Sequence, residues 1–302
     1  MRTREHPRKA LRILVTGGGG FIGRNAVDYF QTGHAVLAPP HAEVDLLDAD
    51  AVRAYLECHP ADVLLHCAVR PGHRNAPDPT DQLNRNLRMF FNLVRNRSCF
   101  GKLIVLGSGL VYGMEHYHPR MREDFFDHHV PSDEGGFSKY LIARHIEQAD
   151  GMVELRPFGV FGKHEDYAVR FISNAICKAL FGQPITLRRN RRFDYVCVGD
   201  LLKIVEYFLE HEGRFKAYNV TPDRTVELAE LAETVRRISG ADVPIHIAQE
   251  GMGVEYSGDN ARLKGEIPSL VFTPMEAAVE KLWEWYRDHR ELINPVLLKT
   301  DP

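Results

Sequence analysis

The 302-residue sequence is short of several features that would place it in a class at once. No run of 18 apolar residues occurs, so no segment reads as a membrane span. Positive charge is not in surplus: 38 Lys and Arg face 41 Asp and Glu, a formal net charge of −3. A global basic field that would draw in nucleic acid or an acidic membrane is therefore absent. There are five cysteines, Cys58, Cys67, Cys99, Cys177 and Cys197, an odd number with no CxxC pair. That argues against a disulfide framework and for reduced thiols in a cytoplasmic setting. No histidine–cysteine spacing suggests a zinc site, so no metal is expected. Internal repeats and low-complexity tracts are lacking too. The opening "MRTREHPRKA" is basic and polar, with no apolar stretch of signal-peptide length after it. It reads as a disordered lead-in over 1–10.

What is present is alternation. Apolar strand patterns at 11–17, 34–39, 61–69, 102–109 and 152–162 are separated by helical patterns at 20–33, 48–60, 80–96 and 135–149. Asp48 and Asp50 are both candidate caps for the second helix. Short, wholly apolar strands alternating with helices predict an α/β protein with a parallel sheet covered on both faces. Right-handed crossovers make that sheet doubly wound. Beyond about residue 167 the rhythm loosens into helices at 170–182, 225–240 and 273–292, a strand at 184–188 and a strand-into-helix at 193–212. The expected division is a dinucleotide-binding domain over 11–166, with 186–210 returning to it. A smaller C-terminal α/β substrate-binding region takes 167–185 and 211–302.

The first strand runs directly into "VTGGGGFIG". Gly17, Gly20 and Gly23 form G-x-x-G-x-x-G, and Gly18, Gly20 and Gly23 also satisfy G-x-G-x-x-G. Glycine permits a tight turn and close approach of a pyrophosphate, while the helix start offers free N–H groups and a positive dipole end. Phe21, Ile22 and Arg24 share that turn. A carboxylate at the end of the second strand would bind the ribose of NAD, but this strand ends Ala38-Pro39-Pro40-His41. With Arg24 and His41 as candidate partners of a 2′-phosphate, NADP is favoured over NAD. Asp45 is read either as a contact of the adenine amino group or as a turn aspartate.

Taken together these segments resemble the extended short-chain dehydrogenase/reductase family, the NAD(P)-dependent nucleotide-sugar epimerases, dehydratases and reductases. The resemblance spans nearly the whole chain. It rests on "TGGGGFIG", "DLLD" (45–48), "HCAV" (66–69), "NLRMFFNLV" with Asn86, "GSGLVYG" (107–113), "FSKYLIARHIE", "LRPFGVFG" and "VGDL" (198–201). It implies a Rossmann-type sheet and a cofactor site that includes Asp45, Leu46, Cys67, Ala68, Asn86 and Lys139. It also implies a homodimer formed by a four-helix bundle from 81–97 and 136–148. Within the family a serine contacts the sugar oxygen, here Ser108. A lysine binds the nicotinamide ribose and lowers the pKa of a tyrosine one helical turn before it, here Lys139. That tyrosine exchanges the proton, and in this chain its place is held by Gly135.

A glycine has nothing to titrate, and loss of a positioned acid–base group typically costs about 10²–10⁴-fold. His164, in "GKHEDY" and in the region where related reductase-epimerases use a histidine, is the leading substitute. Two further departures narrow the chemistry. Gly109-Leu110 stands where the dehydratases carry Asp-Glu, and Leu110 where the 3,5-epimerases carry cysteine. For the substrate, the resemblance points to a nucleotide-diphosphate sugar held by Arg191 or Arg192 and by Asn174. Arg70 or His73 in the loop after the third strand is a further candidate. The expected function is an oxidoreductase or epimerase of nucleotide sugars with a nonstandard proton donor. The rival is a cofactor-binding protein of the same fold with little or no catalysis.

Overall fold

The computed structural model describes residues 10–70 and 80–299. The expected lead-in, apart from Ala10, and His73 lie outside the described residues. The first half alternates as β1 (Arg12–Thr16), α1 (Phe21–Phe30), β2 (Ala35–Leu37), α2 (Ala49–Cys58), β3 (Ala61–His66), α3 (Gln82–Val94), β4 (Phe100–Leu106), α4 (Glu134–Glu147) and β5 (Met152–Pro157). A short β6 (Val160–Phe161), α5 (Phe171–Leu180), β7 (Ile185–Asn190), β8 (Arg192–Phe193), β9 (Val196–Cys197) and α6 (Val198–Glu210) come next. The chain continues through β10 (Ala217–Val220), β11 (Val226–Glu227), α7 (Leu228–Ser239), β12 (Ile245–Met252), α8 (Ala261–Glu266) and α9 (Met275–Asp288).

The main sheet has six parallel strands in the order β10-β5-β4-β3-β1-β2. Its period-2 side chains explain both layers. Ile13, Val15, Val63, Leu65, Ile104 and Val153 point to one face, where α1 and α6 bury Phe30, Leu201 and Phe208 on them. Leu14, Leu64, Leu103 and Val105 point to the other, against Leu56, Phe90, Leu93 and Ile142 of α2, α3 and α4. Of the two candidate caps, Asp48 is the one used: its carboxylate accepts from the backbone N–H groups of Asp50 and Ala51 at 2.9 and 3.0 Å. Such a cap is worth about 1 kcal/mol.

The smaller region has its own core, where α5, α7 and α9 pack Ile172, Ile176, Leu231, Val235, Val279 and Leu282 together. Two strands depart from the expected division. β10, a four-residue strand at 217–220, joins the large sheet beside β5, although 211 onward was expected in the smaller region. β7 pairs with β12 in a separate two-stranded ladder, so 186–190 does not return to the main sheet. β10 was invisible as a pattern because "AYNV" is too short to show a period. It is a strand because its neighbour β5 is one.

Candidate active site

The strand order reverses between β3 and β2 around β1, and ligands bind at such a point beyond the carboxyl ends of the strands. The glycine turn sits there. Gly17 has φ +68°, and a Cβ on it would lie 2.8 Å from the Ala68 backbone. A Cβ on Gly18 would lie 2.7 Å from Ala38, and one on Gly23 would lie 2.1 Å from the Gly17 carbonyl oxygen. Gly20 donates its N–H to Gly17 O at 2.9 Å, and α1 starts with neither a side-chain cap nor an acidic residue. Its first N–H groups are thus left for an anion, with Phe21, Ile22 and Arg24 in that same turn.

A cleft of about 720 Å³ opens from this turn, lined among others by Pro40, His41, Asp45, Leu46, Ala68 and Arg85. His41 Nδ1 lies 3.7 Å from Asp45 Oδ1, and the same carboxylate oxygen accepts from Leu47 N at 2.9 Å. Asp45 therefore holds a turn, and it lines the cleft as well. Arg70 also lines the cleft. Arg85 escaped the sequence reading, which took its neighbour Asn86. The Asn86 side chain is engaged within the protein: Oδ1 accepts from Arg70 N at 2.8 Å and Nδ2 donates to Ser138 Oγ at 3.4 Å. It ties the loop after β3 to α4. A signal for Arg85 existed in the helical phase of α3, one residue away.

The chemical end lies at the carboxyl edge of β4. Lys139, half-buried on α4, donates its Nζ to the Leu106 carbonyl at 2.9 Å. Burial lowers its pKa, and the nearby Glu154 and Cys67 pull it back up. Cys67 is itself buried enough to push its thiol up to about 12, although Lys139 opposes this. Two residues beyond Leu106, half-buried Ser108 accepts from Leu110 N at 3.2 Å, leaving its hydroxyl proton free to donate elsewhere. Gly135 lies in the first turn of α4, which Asp133 caps by accepting from Gly136 N at 2.7 Å. A Cβ on Gly135 would meet only side-chain tips, Gln82 Oε1 at 3.1 Å and Asp133 Oδ1 at 3.2 Å. Backbone space there does not require glycine.

His164 is not brought to this end. It has φ +68°, its ring stands edge-on to Trp285 at 5.1 Å, and its charged neighbours are Arg24, Lys163, Asp28 and His289. The loop after β6 passes over α1 toward α9 because Lys163 pairs with Asp28 at 2.9 Å and Asn25 donates to Lys163 O at 2.8 Å. Asn174 is likewise turned inward, its amide donating to the carbonyls of Tyr167 and Ala168 at 3.1 and 3.2 Å. Of the two arginines, Arg192 leans on Glu227 at 3.4 Å, while Arg191 lies over the Phe193 ring and close enough to act on Tyr256.

Tyr256 is a buried polar side chain that sequence reasoning missed. Its ring packs on that of Tyr117 at 4.8 Å between centroids, and Tyr117 in turn donates to the Gly109 carbonyl. Burial pushes Tyr256 up to about 12, although Ser108, Tyr117 and Arg191 pull it down. Nothing local in "GVEYSGDN" marks this tyrosine, because only the tertiary fold brings it against β8 and Phe158.

A six-stranded parallel sheet with a glycine turn at its switch point, and a serine and lysine at the adjacent strand end, defines a dinucleotide-binding α/β protein. Residues 13–221 match the NAD dependent epimerase/dehydratase family, and the chain belongs to that family. The cofactor is accordingly NAD or NADP, and the uncapped, acid-free start of α1 behind the glycine turn fits its phosphates. The chain is 36% identical over 109 residues to a GDP-L-fucose synthase of Azorhizobium caulinodans, a match over 34% of this chain and 35% of that protein. A GDP-6-deoxy-D-mannose reductase of Pseudomonas aeruginosa is 27% identical over 90% of this chain and 97% of its own length. Among solved structures, the GDP-mannoheptose C4 reductase from Campylobacter jejuni with NADP bound superposes with a TM-score of 0.79 at 18% identity. That superposition covers 92% of this chain and 98% of the other and shows the shared fold.

Proposed function

We propose that the chain is a cytoplasmic NAD(P)-dependent reductase or epimerase of a nucleotide-diphosphate sugar in which the proton comes from a group other than residue 135. The observation that carries the reading is that Lys139 is anchored on the Leu106 carbonyl at the end of β4, two residues before Ser108. Ser108 and Lys139 are the groups expected at the sugar oxygen and the nicotinamide ribose. The dinucleotide, when bound, supplies or accepts hydride. Gly17, Gly20 and the first turn of α1 would hold its phosphates. His41, Asp45 and Arg85 would hold its adenosine half, and the missing acid after β2 supports NADP over NAD. Leu110 and Gly109 support simple reduction or C4 epimerisation over dehydration and 3,5-epimerisation. Arg191 is the arginine best placed for the substrate pyrophosphate. The exposed flank of α3, with Phe91 beside His145 of α4, supports a dimer through these two helices.

The test incubates pure protein with pools of UDP- and GDP-linked sugars, NADP(H) or NAD(H), and heavy water, with mass spectrometry as readout and Gly135→Tyr run alongside. Turnover or deuterium uptake by the natural sequence supports the reading. Activity confined to Gly135→Tyr would instead favour the cofactor-binding alternative, for which the glycine itself speaks.

A further inference from the structure

Two charged side chains meet the same peptide unit, Leu106–Gly107, at the end of β4. Lys139 donates its Nζ to the Leu106 oxygen at 2.9 Å. On the next residue, a Cβ placed on Gly107 would lie 2.1 Å from Glu154 Oε1 and 2.7 Å from its Cδ, so the Glu154 carboxyl fills the space a side chain would take. The strand register explains the meeting. β5 pairs with β4 through Glu154 and Val105, so Glu154 falls on the same face as Val105, the face that Ile142 and Ile146 of α4 cover. Lys139 is carried by that helix. Glu154 is 0% exposed, and its Oε2 accepts from Arg156 Nε at 2.7 Å. Oε1, the oxygen at Gly107, has no hydrogen-bond partner among the described residues. A guanidinium stays charged, and among the described residues Arg156 has no second acid at ion-pair distance. A neutral Glu154 would strand that buried cation, so the carboxyl is ionised. One carboxylate thus serves Arg156 with one oxygen and rests its other against the peptide that holds Lys139. Granted the reading above in which Lys139 binds the nicotinamide ribose, we infer that Glu154 is its positioning residue, a buried carboxylate that keeps Lys139 in the charged form.

The charge matters for the number of donors. An ammonium has three N–H bonds, so the one spent on Leu106 leaves two for ribose hydroxyls. A neutral amine would have one left. The groups facing Lys139 from β3 cannot hold its proton. Burial, with Lys139 adding to it, pushes His66 down to about 3, so this ring is neutral. Cys67, pushed up to about 12 by burial, is a neutral thiol. Burial works against the charge on Lys139 and Glu154 works for it. Around Glu154 itself, burial and Glu147 of α4 oppose ionisation, while Arg156 and Lys139 favour it. Tyr112 accepts from the other side of Arg156 at 3.2 Å and stays a neutral phenol, since burial raises it to about 12. Gly107 has a part in the same arrangement, because any side chain there would displace the carboxyl.

Three measurements on the full chain test the assignment. The first needs no ligand. With lysines labelled at ¹³Cε, the resonance absent from Lys139→Met reports the titration of Lys139. Glu154→Gln keeps the shape and an oxygen for Arg156 but removes the charge. In this variant Lys139 should hold its proton about tenfold less tightly, or weaker still. Glu154→Asp, which keeps the charge, should restore most of that, whereas a merely structural role would not move the titration at all. The second measurement stands even if Glu154→Gln does not fold. Linkage is reciprocal, so Lys139→Met should raise the pH at which the Glu154 ¹³Cδ resonance titrates. The third is NADPH affinity by isothermal titration. Between pH 7 and pH 9, Glu154→Gln should lose about tenfold more affinity than the natural sequence, and Lys139→Met should be weak at both. A Lys139 titration unmoved by Glu154→Gln, or a Glu154 resonance unmoved by Lys139→Met, overturns the assignment. Natural NADPH affinity in Lys139→Met overturns the ribose reading instead, and the two titrations then decide the pairing by themselves.

Discussion

Glu165 carries a prediction whose size follows from its surroundings. Its side chain is 6% exposed, and Oε2 accepts from Ser173 Oγ at 2.6 Å. Burial pushes the carboxyl from the ordinary 4.5 up to about 8, although Ser173 and Arg170 pull the other way and Asp166 adds to the rise. The folded chain thus keeps a proton that the unfolded chain gives up. The stability this represents is fully present below pH 4.5, falls as pH rises, and is gone once pH passes about 8. At about 1.4 kcal/mol for each tenfold change in proton affinity, the whole loss is roughly 5 kcal/mol. Glu165→Gln keeps an acceptor for Ser173 and removes the titration. In urea unfolding, the two proteins should agree within about 1 kcal/mol at pH 5. At pH 9 the variant should be the more stable by roughly 3–5 kcal/mol. Parallel stabilities from pH 5 to pH 9 would refute the argument, since a carboxyl already ionised in the fold gives no such divergence.

Two other predictions rest on close packing. Gly23→Ala places a Cβ 2.1 Å from the Gly17 carbonyl oxygen, a backbone atom that cannot swing away. Overpacking of this kind costs about 1–3 kcal/mol, and isothermal titration should show NADP affinity lost along with the turn. An alanine variant that binds NADP normally would refute it. Arg156 and Glu154 form a fully buried pair at 2.7 Å under Gly107, with Glu154 Oε1 and one Arg156 terminal nitrogen lacking hydrogen-bond partners. Glu154→Leu alone should destabilise by about 3–5 kcal/mol, and Glu154→Leu with Arg156→Met should recover most of that in a double-mutant cycle.

The main sheet was legible in the sequence because its strands are continuous apolar runs and its helices carry a clear 3.6-residue period. A strand buried on both faces has to be apolar throughout. The glycine turn was legible for a related reason: Gly17, Gly18 and Gly23 each meet neighbouring backbone or side chain at distances no Cβ tolerates. Ser108, Lys139 and the gap at Gly135 could be read because each sits at a fixed offset from a strand end or helix start.

The four-residue β10 could not be read, since it takes its conformation from β5 through hydrogen bonds the sequence does not announce. The direction of the loop bearing His164 was also hidden, because it depends on Lys163 finding Asp28 on α1. The same holds for Arg191 against Arg192, since one lies over the Phe193 ring and the other leans on Glu227. Local order along the chain determined the dinucleotide turn, the serine and the lysine. The burial of Tyr256 was decided by tertiary packing alone, because its ring meets Tyr117 and Phe158, residues far off in the chain, only in the folded protein.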